Sequence, residues 1–352
     1  MGRVVGRARG KLLLFGEHAA VYGHPAVGVR FPGTTVARAS GDADAWDLRR
    51  VAADDRPAVA EVLRRMEALL PDPPRRGTLS IVSAVPRGAG FGSSAALCGA
   101  LACVLLARRA RGGSAPTGGS PPARRGGAAA PAGGPRPAPA GGLPPAPADS
   151  SGAPLADVWR LAHEAERLFH GTPSGIDTGL ALGPGLSVFL PRPDGLPARV
   201  DLPAAGLWLV VTAVPRGDAC GPLVAGVARR MAAGDTPTVE RIASLGRIAE
   251  EAAAILGGED RTSLPAGIGA LADEAMTCLR GLGLGNDAQD ALLRAGLGAG
   301  GLGGKLSGAG DGGAFWVVAT DRRSAARVAD GLRRAARRLG IRLVAPVRIV
   351  GI

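Results

Sequence analysis

Arginine carries nearly all the positive charge of this chain: of 42 basic residues, only Lys11 and Lys305 are lysines. Arginine can replace lysine at most solvated positions, but it cannot supply a compact point charge. Chance survival would explain two lysines, yet both stand in glycine-rich segments that suit a polar ligand. The first is Gly10-Lys11-Leu12-Leu13-Leu14-Phe15-Gly16-Glu17-His18, an apolar run that delivers Glu17 and His18 directly after a glycine. Taken alone, Glu17-His18 is equally a ligand site or a turn with a solvated acid. The second lysine opens Lys305-Leu306-Ser307-Gly308-Ala309-Gly310-Asp311-Gly312-Gly313. It reads as a hairpin turn or, with Lys305 beside it, as a second anion-facing loop.

Two further segments could do chemistry. Gly88-Ala89-Gly90-Phe91-Gly92-Ser93-Ser94 places glycines at alternate positions before two hydroxyls and an apolar helix. Exposed amides and the positive end of a helix make a ready phosphate cradle. It is not a Walker loop, because no Gly-Lys-Ser/Thr follows. The other segment is Glu166 followed by His170-Gly171-Thr172-Pro173-Ser174-Gly175-Ile176-Asp177. Leu155, Trp159, Ala162, Glu166 and Phe169 fall on one helical stripe, which puts a carboxylate among apolar side chains. Such an acid needs an ion pair or a metal. Asp177, after a Pro-Ser-Gly turn, suits a general base or a cap for the next segment.

The elements around these residues are legible. Short apolar or alternating runs predict strands over 4–8, 11–15, 26–31, 34–39 and 78–84. Helical spacing covers 57–70, 95–110 and 154–169. Beyond residue 206 the pattern is a strand (207–213), three or four helices to about 299, a glycine-rich turn, a strand (314–320), a helix (322–339) and a last strand (341–350). Strands mixed with helical pairs predict an α+β architecture in two lobes. Between 112 and 154 the composition turns to Pro, Gly, Ala and Ser without apolar period, which predicts a disordered insert.

Composition narrows the classes. The chain has 352 residues, 46% hydrophobic and 20% charged, which excludes wholesale disorder. No uninterrupted apolar run reads as a membrane span, and no secretory leader is visible. Four cysteines form no CxxC pair, so a zinc ribbon and a disulfide framework are not expected, and a cytoplasmic location is. The formal charge of +12 invites nucleic acid, but aromatic residues make up only 3%, so base-stacking platforms are scarce. Neither a nucleic-acid nor a membrane partner is expected.

Taken together, the blocks at 11–25, 86–96 and 305–313 resemble the three ordered motifs of the GHMP kinases. Within that superfamily, Gly16-Glu17-His18-Ala19 with Val21-Tyr22-Gly23, and the block from His170 to Asp177, are most similar to the mevalonate kinases. The resemblance implies a two-domain GHMP kinase fold. Residues 1–190 would form an N-terminal α/β ATP-binding domain, and residues 191–352 a ferredoxin-like C-terminal domain. It implies transfer of the ATP γ-phosphoryl group to the primary hydroxyl of (R)-mevalonate, with phosphomevalonate kinase as the nearest alternative. Asp177 would be the catalytic base and Lys11 its stabilising lysine. Ser94 and Glu166 would hold Mg²⁺. Gly88, Ala89, Gly90, Gly92, Ser93 and Ser94, with Gly308, Ala309 and Gly310, would wrap ATP, and Glu17 and His18 would lie near the acceptor. A homodimer is common in the family. Two departures stand out: Asp311 occupies a usual glycine position, and Arg216 is followed by Gly217-Asp218-Ala219-Cys220 rather than a close threonine.

Overall fold

A computed structural model describes residues 2–112, 154–192, 195–217 and 220–352. The insert expected over 112–154 therefore lies, apart from its two end residues, outside the described residues.

Strand β1 (Val4–Phe15) pairs antiparallel with β2 (Ala26–Ala43). The runs expected on either side of Gly10 form one strand, with its register shifted between Arg9 and Gly10. The runs at 26–31 and 34–39 likewise merge into one strand. The other edge of β2 is shared by β4 (Arg76–Ser83) and β5 (Leu186–Leu190), with β3 (Asp47–Arg50) beyond β4 and β6 (Ala198–Asp201) beyond β5. Helix α1 (Arg56–Ala68) buries Val59, Val62, Leu63 and Met66. Helix α2 (Ser93–Gly112) is Ala/Leu/Val-rich and buried from Ala100 to Leu105, so it serves as the central rod of this lobe. Among the described residues, Ser93–Arg111 is the one helix long and apolar enough to cross a membrane, which the sequence reading did not register. Its apolar sides are covered by β1 and by α3 (Leu155–His170). Helix α4 (Ile176–Leu182) follows directly.

The second sheet starts at β7 (Trp208–Val214). Helices α5 (Cys220–Ala232), α6 (Thr236–Gly257), α7 (Leu264–Gly281) and α8 (Asp287–Gly298) follow, then β8 (Gly303–Leu306), β9 (Gly313–Ala319), α9 (Arg322–Arg338) and β10 (Ala345–Gly351). The strand order β10-β7-β9-β8 is antiparallel throughout. Numbered along the chain this is 4-1-3-2, the order of a ferredoxin-like β-α-β-β-α-β unit. The expected α+β architecture with a ferredoxin-like second lobe is therefore present. The first sheet runs on to Asp201, so the two sheets join between Asp201 and Trp208, later than residue 190. Apolar residues of both lobes form one continuous core.

Candidate active site

Backbone geometry explains how the first phosphate-type loop meets Lys11. The Lys11 amide donates to the Phe91 carbonyl at 2.9 Å, so β1 runs alongside the glycine loop as if adding a strand to it. Gly92 has φ +70°, and a Cβ there would come within 2.6 Å of Lys11 Cγ. Only glycine allows that approach. Helix α2 begins at Ser93, two residues earlier than the apolar pattern suggested, so Ser93 and Ser94 form its first turn.

The Lys11 side chain then reaches Asp177, with Nζ 3.0 Å from Oδ2. Lys11 is buried, whereas the Asp177 side chain keeps 30% of its surface open. Asp177 lies in the first turn of α4, an element the sequence pattern does not reveal. Gly175 caps that helix at φ +79°, and its carbonyl accepts from Trp159 Nε1 (3.0 Å) and Thr178 Oγ1 (3.1 Å). The turn carrying Asp177 is thus held from two sides, and Asp177 itself caps nothing.

Glu166 lies in the buried stripe of α3, as its spacing predicted, with a relative exposure of 1%. Both of its carboxylate oxygens lack a hydrogen-bond partner. Burial pushes its pKa up to about 8, helped by the charge of Asp177 and opposed by Lys11. His170, one turn on, brings Nε2 within 4.0 Å of Glu166 Oε1 and 3.2 Å of Ser94 Oγ. Burial and the cations Lys11 and Arg216 hold this imidazole below its usual pKa, against the pull of Asp177. Ligand atoms of Glu166, His170 and Asp177 all lie within 4.8 Å of one another. A buried carboxylate with two unsatisfied oxygens fits a hard divalent cation, and the neighbouring hydroxyl and carboxylate are oxygen donors of the type Mg²⁺ prefers.

Two cavities flank this cluster. One is lined by Val21, Glu166, His170, Thr172–Gly175, Asp177 and Ala309. The other lies against Thr35, Val59, Ile81, Arg87, Ser94 and Phe169, among others. The Ser94–His170 hydrogen bond links a lining residue of the second cavity to one of the first.

The remaining expected residues fall into place unevenly. Ala309 lines the first cavity, and its carbonyl lies 3.2 Å from His18 Nε2. Glu17 does not line either cavity. Its carboxylate is buried against Lys305. Lys305, beside the loop read as anion-facing, lies on strand β8, fully buried, with its ammonium donating to Glu17 and the Leu306 carbonyl, so it adds no free charge to that loop. Asp311 holds φ +54°, and its backbone carbonyl accepts from the Gly217 amide at 2.9 Å.

One residue entered the sequence reading only as a landmark of the resemblance, with no role of its own. Arg216, just after β7, wedges between the two glycine loops. A Cβ on Gly90 would meet its Nη2 at 3.1 Å, and one on Gly308 at 3.5 Å. Its Nε is buried without a partner. The available signal was a lone arginine directly after an apolar strand, too common to point anywhere.

Comparison with known proteins bears on the fold and its relatives. Residues 259–338 match the family described as GHMP kinases C terminal. The chain has the GHMP kinase fold. Mevalonate kinase of Thermococcus sibiricus is 27% identical over 365 residues, covering 94% of each chain. That of Thermococcus onnurineus is 27% identical, covering 92% of this chain and 91% of that one. Among solved structures, L. major mevalonate kinase in complex with R-mevalonate superposes with a TM-score of 0.68 at 19% identity, covering 95% of this chain and 92% of that one. Streptococcus pneumoniae phosphomevalonate kinase gives 0.65 at 14% identity, with full coverage of both. The resemblance read from the motifs therefore stands: in sequence and in fold this chain is similar to the mevalonate kinases.

Glu166 also makes a prediction for the protein without ligands. Folding pushes its carboxyl up from the usual 4.5 to about 8. Between those values the folded state binds the extra proton, so stability falls as pH rises through that window. Thermal unfolding of the metal-free protein from pH 4.5 to 8 should show this decline, reduced in Glu166→Gln. An equal slope in both proteins would remove Glu166 as its source.

Proposed function

We propose that this chain is a mevalonate kinase, transferring the γ-phosphoryl group of ATP to the primary hydroxyl of (R)-mevalonate. The observation that carries the reading is the 3.0 Å Lys11–Asp177 pair, opening on a cavity beside the unsatisfied carboxylate of Glu166. Phosphoryl transfer asks for positioning, charge neutralisation and one base, and little else.

In this reading the acceptor hydroxyl lies against Asp177. Asp177 Oδ takes its proton as the oxygen forms a bond to the γ-phosphorus. The bond from that phosphorus to the β–γ bridging oxygen breaks, and ADP leaves with the electron pair. Lys11 keeps Asp177 oriented and offsets the negative charge growing on the acceptor oxygen. Amides of Gly88, Ala89, Gly90, Gly92, Ser93 and Ser94 receive phosphate oxygens at the start of α2. Gly308, Ala309 and Gly310 close over the same phosphates, and Arg216 lies between the two loops as a cation for the transferred group. Glu166 and Ser94 would hold Mg²⁺, with His170 orienting the Ser94 hydroxyl. When bound, that ion neutralises charge on the β- and γ-phosphates.

The acceptor cavity favours an unphosphorylated alcohol. Among its described lining residues there is no lysine or arginine, which a second phosphate would require. The test is ADP release with ATP and Mg²⁺ against mevalonate, phosphomevalonate, homoserine, galactose and no acceptor. Turnover on mevalonate is expected. Turnover on phosphomevalonate alone would keep the mechanism and move the enzyme to a different substrate.

A further inference from the structure

We propose that the buried Glu17–Lys305 pair is a pin that sets the third glycine loop over the site, which makes both residues positioning residues rather than substrate contacts. The inference rests on the kinase reading above for its functional consequence, though not for its geometry.

Three observations carry it. The first is a strained turn. His18 has φ +60° and ψ −40°, and the Ala19 amide donates to the Glu17 carbonyl at 2.7 Å. This approaches the γ-turn of the less favourable hand, which is rare in proteins. Such strain persists only where the surroundings over-determine it. Here two of the contacts, those of Lys305 and Ala309, come from the other lobe.

The second observation is that β1 and its turn touch the third loop at three successive points. The Leu13 amide donates to Ser307 Oγ at 3.1 Å. Lys305 donates to the Glu17 carboxylate. His18 Nε2 lies 3.2 Å from the Ala309 carbonyl. Between Ser307 and Gly313 the loop has glycines in left-handed conformations at 308, 310, 312 and 313. A loop so rich in glycine has little conformational preference of its own, so contacts from outside must select one conformation.

The third is the enclosure of the lysine. Its ammonium lies 5.8 Å from the Phe15 ring and 5.7 Å from the Trp316 ring. With Glu17 and the Leu306 carbonyl, these rings surround the cation. Such an enclosure suits a compact ammonium better than a planar guanidinium. Burial pushes the Glu17 carboxyl up and the Lys305 ammonium down, each opposed by the charge of the other. Loss of one partner alone would strand a buried charge, whereas replacing both is tolerated far better.

The test uses Glu17→Gln/Lys305→Met in the full-length protein, compared with the parent chain. Three quantities are read: amide exchange over residues 305–313, the Kd for ATP with Mg²⁺, and KM for the acceptor. Exchange in the loop should rise and ATP affinity should fall by about tenfold each, the size of one lost buried hydrogen bond, with acceptor KM changed less than about threefold. Exchange across α2 should be unchanged. Unchanged loop exchange and unchanged ATP affinity would overturn the pin. A rise in acceptor KM alone would return Glu17 to the acceptor. If the parent chain turns over none of the acceptors, the kinase reading fails while loop exchange still decides the pin. Should the double variant not fold, Ser307→Ala removes a single clasp bond, and a rise in loop exchange of about threefold is expected. No rise there would count against the proposal in the same way.

Discussion

Asp177→Asn is expected to lower kcat by about a thousandfold, within the range general-base catalysis contributes, and to leave the affinity for ATP with Mg²⁺ nearly unchanged. Asparagine keeps the shape of the side chain and loses its capacity to take a proton. It also removes the negative partner of Lys11, which stands 3.0 Å away and is buried. In the proposed mechanism the lysine would then retain its charge beside the acceptor oxygen without its carboxylate partner. The carboxylate keeps 30% of its surface open toward the cavity, so it is placed to meet a substrate rather than to support the core. ADP release in the steady state, paired with a nucleotide titration of the same variant, separates the two effects. Turnover within about tenfold of the parent would remove Asp177 from the role of base, since that lies below the usual contribution of a base.

Glu166→Gln is expected to have the next largest effect, with activity and stability moving in opposite directions. The amide is a poorer ligand for a hard cation. The Mg²⁺ concentration for half-maximal rate should therefore rise and kcat should fall by about a hundredfold. The metal-free variant should be more thermally stable than the parent. The native carboxylate is buried with both oxygens unsatisfied, and burial and the charge of Asp177 keep its proton on up to about pH 8. Glutamine removes that penalty, so the gain should be largest above pH 8 and vanish below pH 4.5. A binding site commonly holds groups that its own fold would shed. A variant that loses stability at pH 8.5, or that keeps its Mg²⁺ requirement, would show that Glu166 serves the core.

Much of this site is legible along the chain because its chemistry is local. Alternate glycines before Ser93 and Ser94 announce exposed amides at a helix start, whatever lies around them. The helical spacing of Trp159, Ala162 and Glu166 places that acid on the buried face of α3, although Phe169 at the end of the same stripe is exposed. The scarcity of lysine pointed to Lys11 and Lys305 before any partner was known. Other elements were hidden for equally local reasons. Helix α4 spans only Ile176–Leu182 and contains a glycine, so it has too few turns to show a period. Strand β8, Gly303–Leu306, is half glycine and reads as a turn until β9 pairs with it.

The sequence by itself determined which side chains could do chemistry and which local frames hold them: a glycine loop, a helix stripe, a rigid Pro-Ser-Gly turn and two retained lysines. Only the tertiary structure decided who meets whom. Lys11 and Asp177 are brought together by the packing of β1 beside α4. Lys305 finds Glu17 across 288 positions of sequence, which buries its charge instead of leaving it beside the glycine loop. The physical reason is that periodicity and turn chemistry act over a few residues. An ion pair depends instead on where two distant backbones come to rest, and that is fixed by the burial of apolar surface in a core that both lobes share.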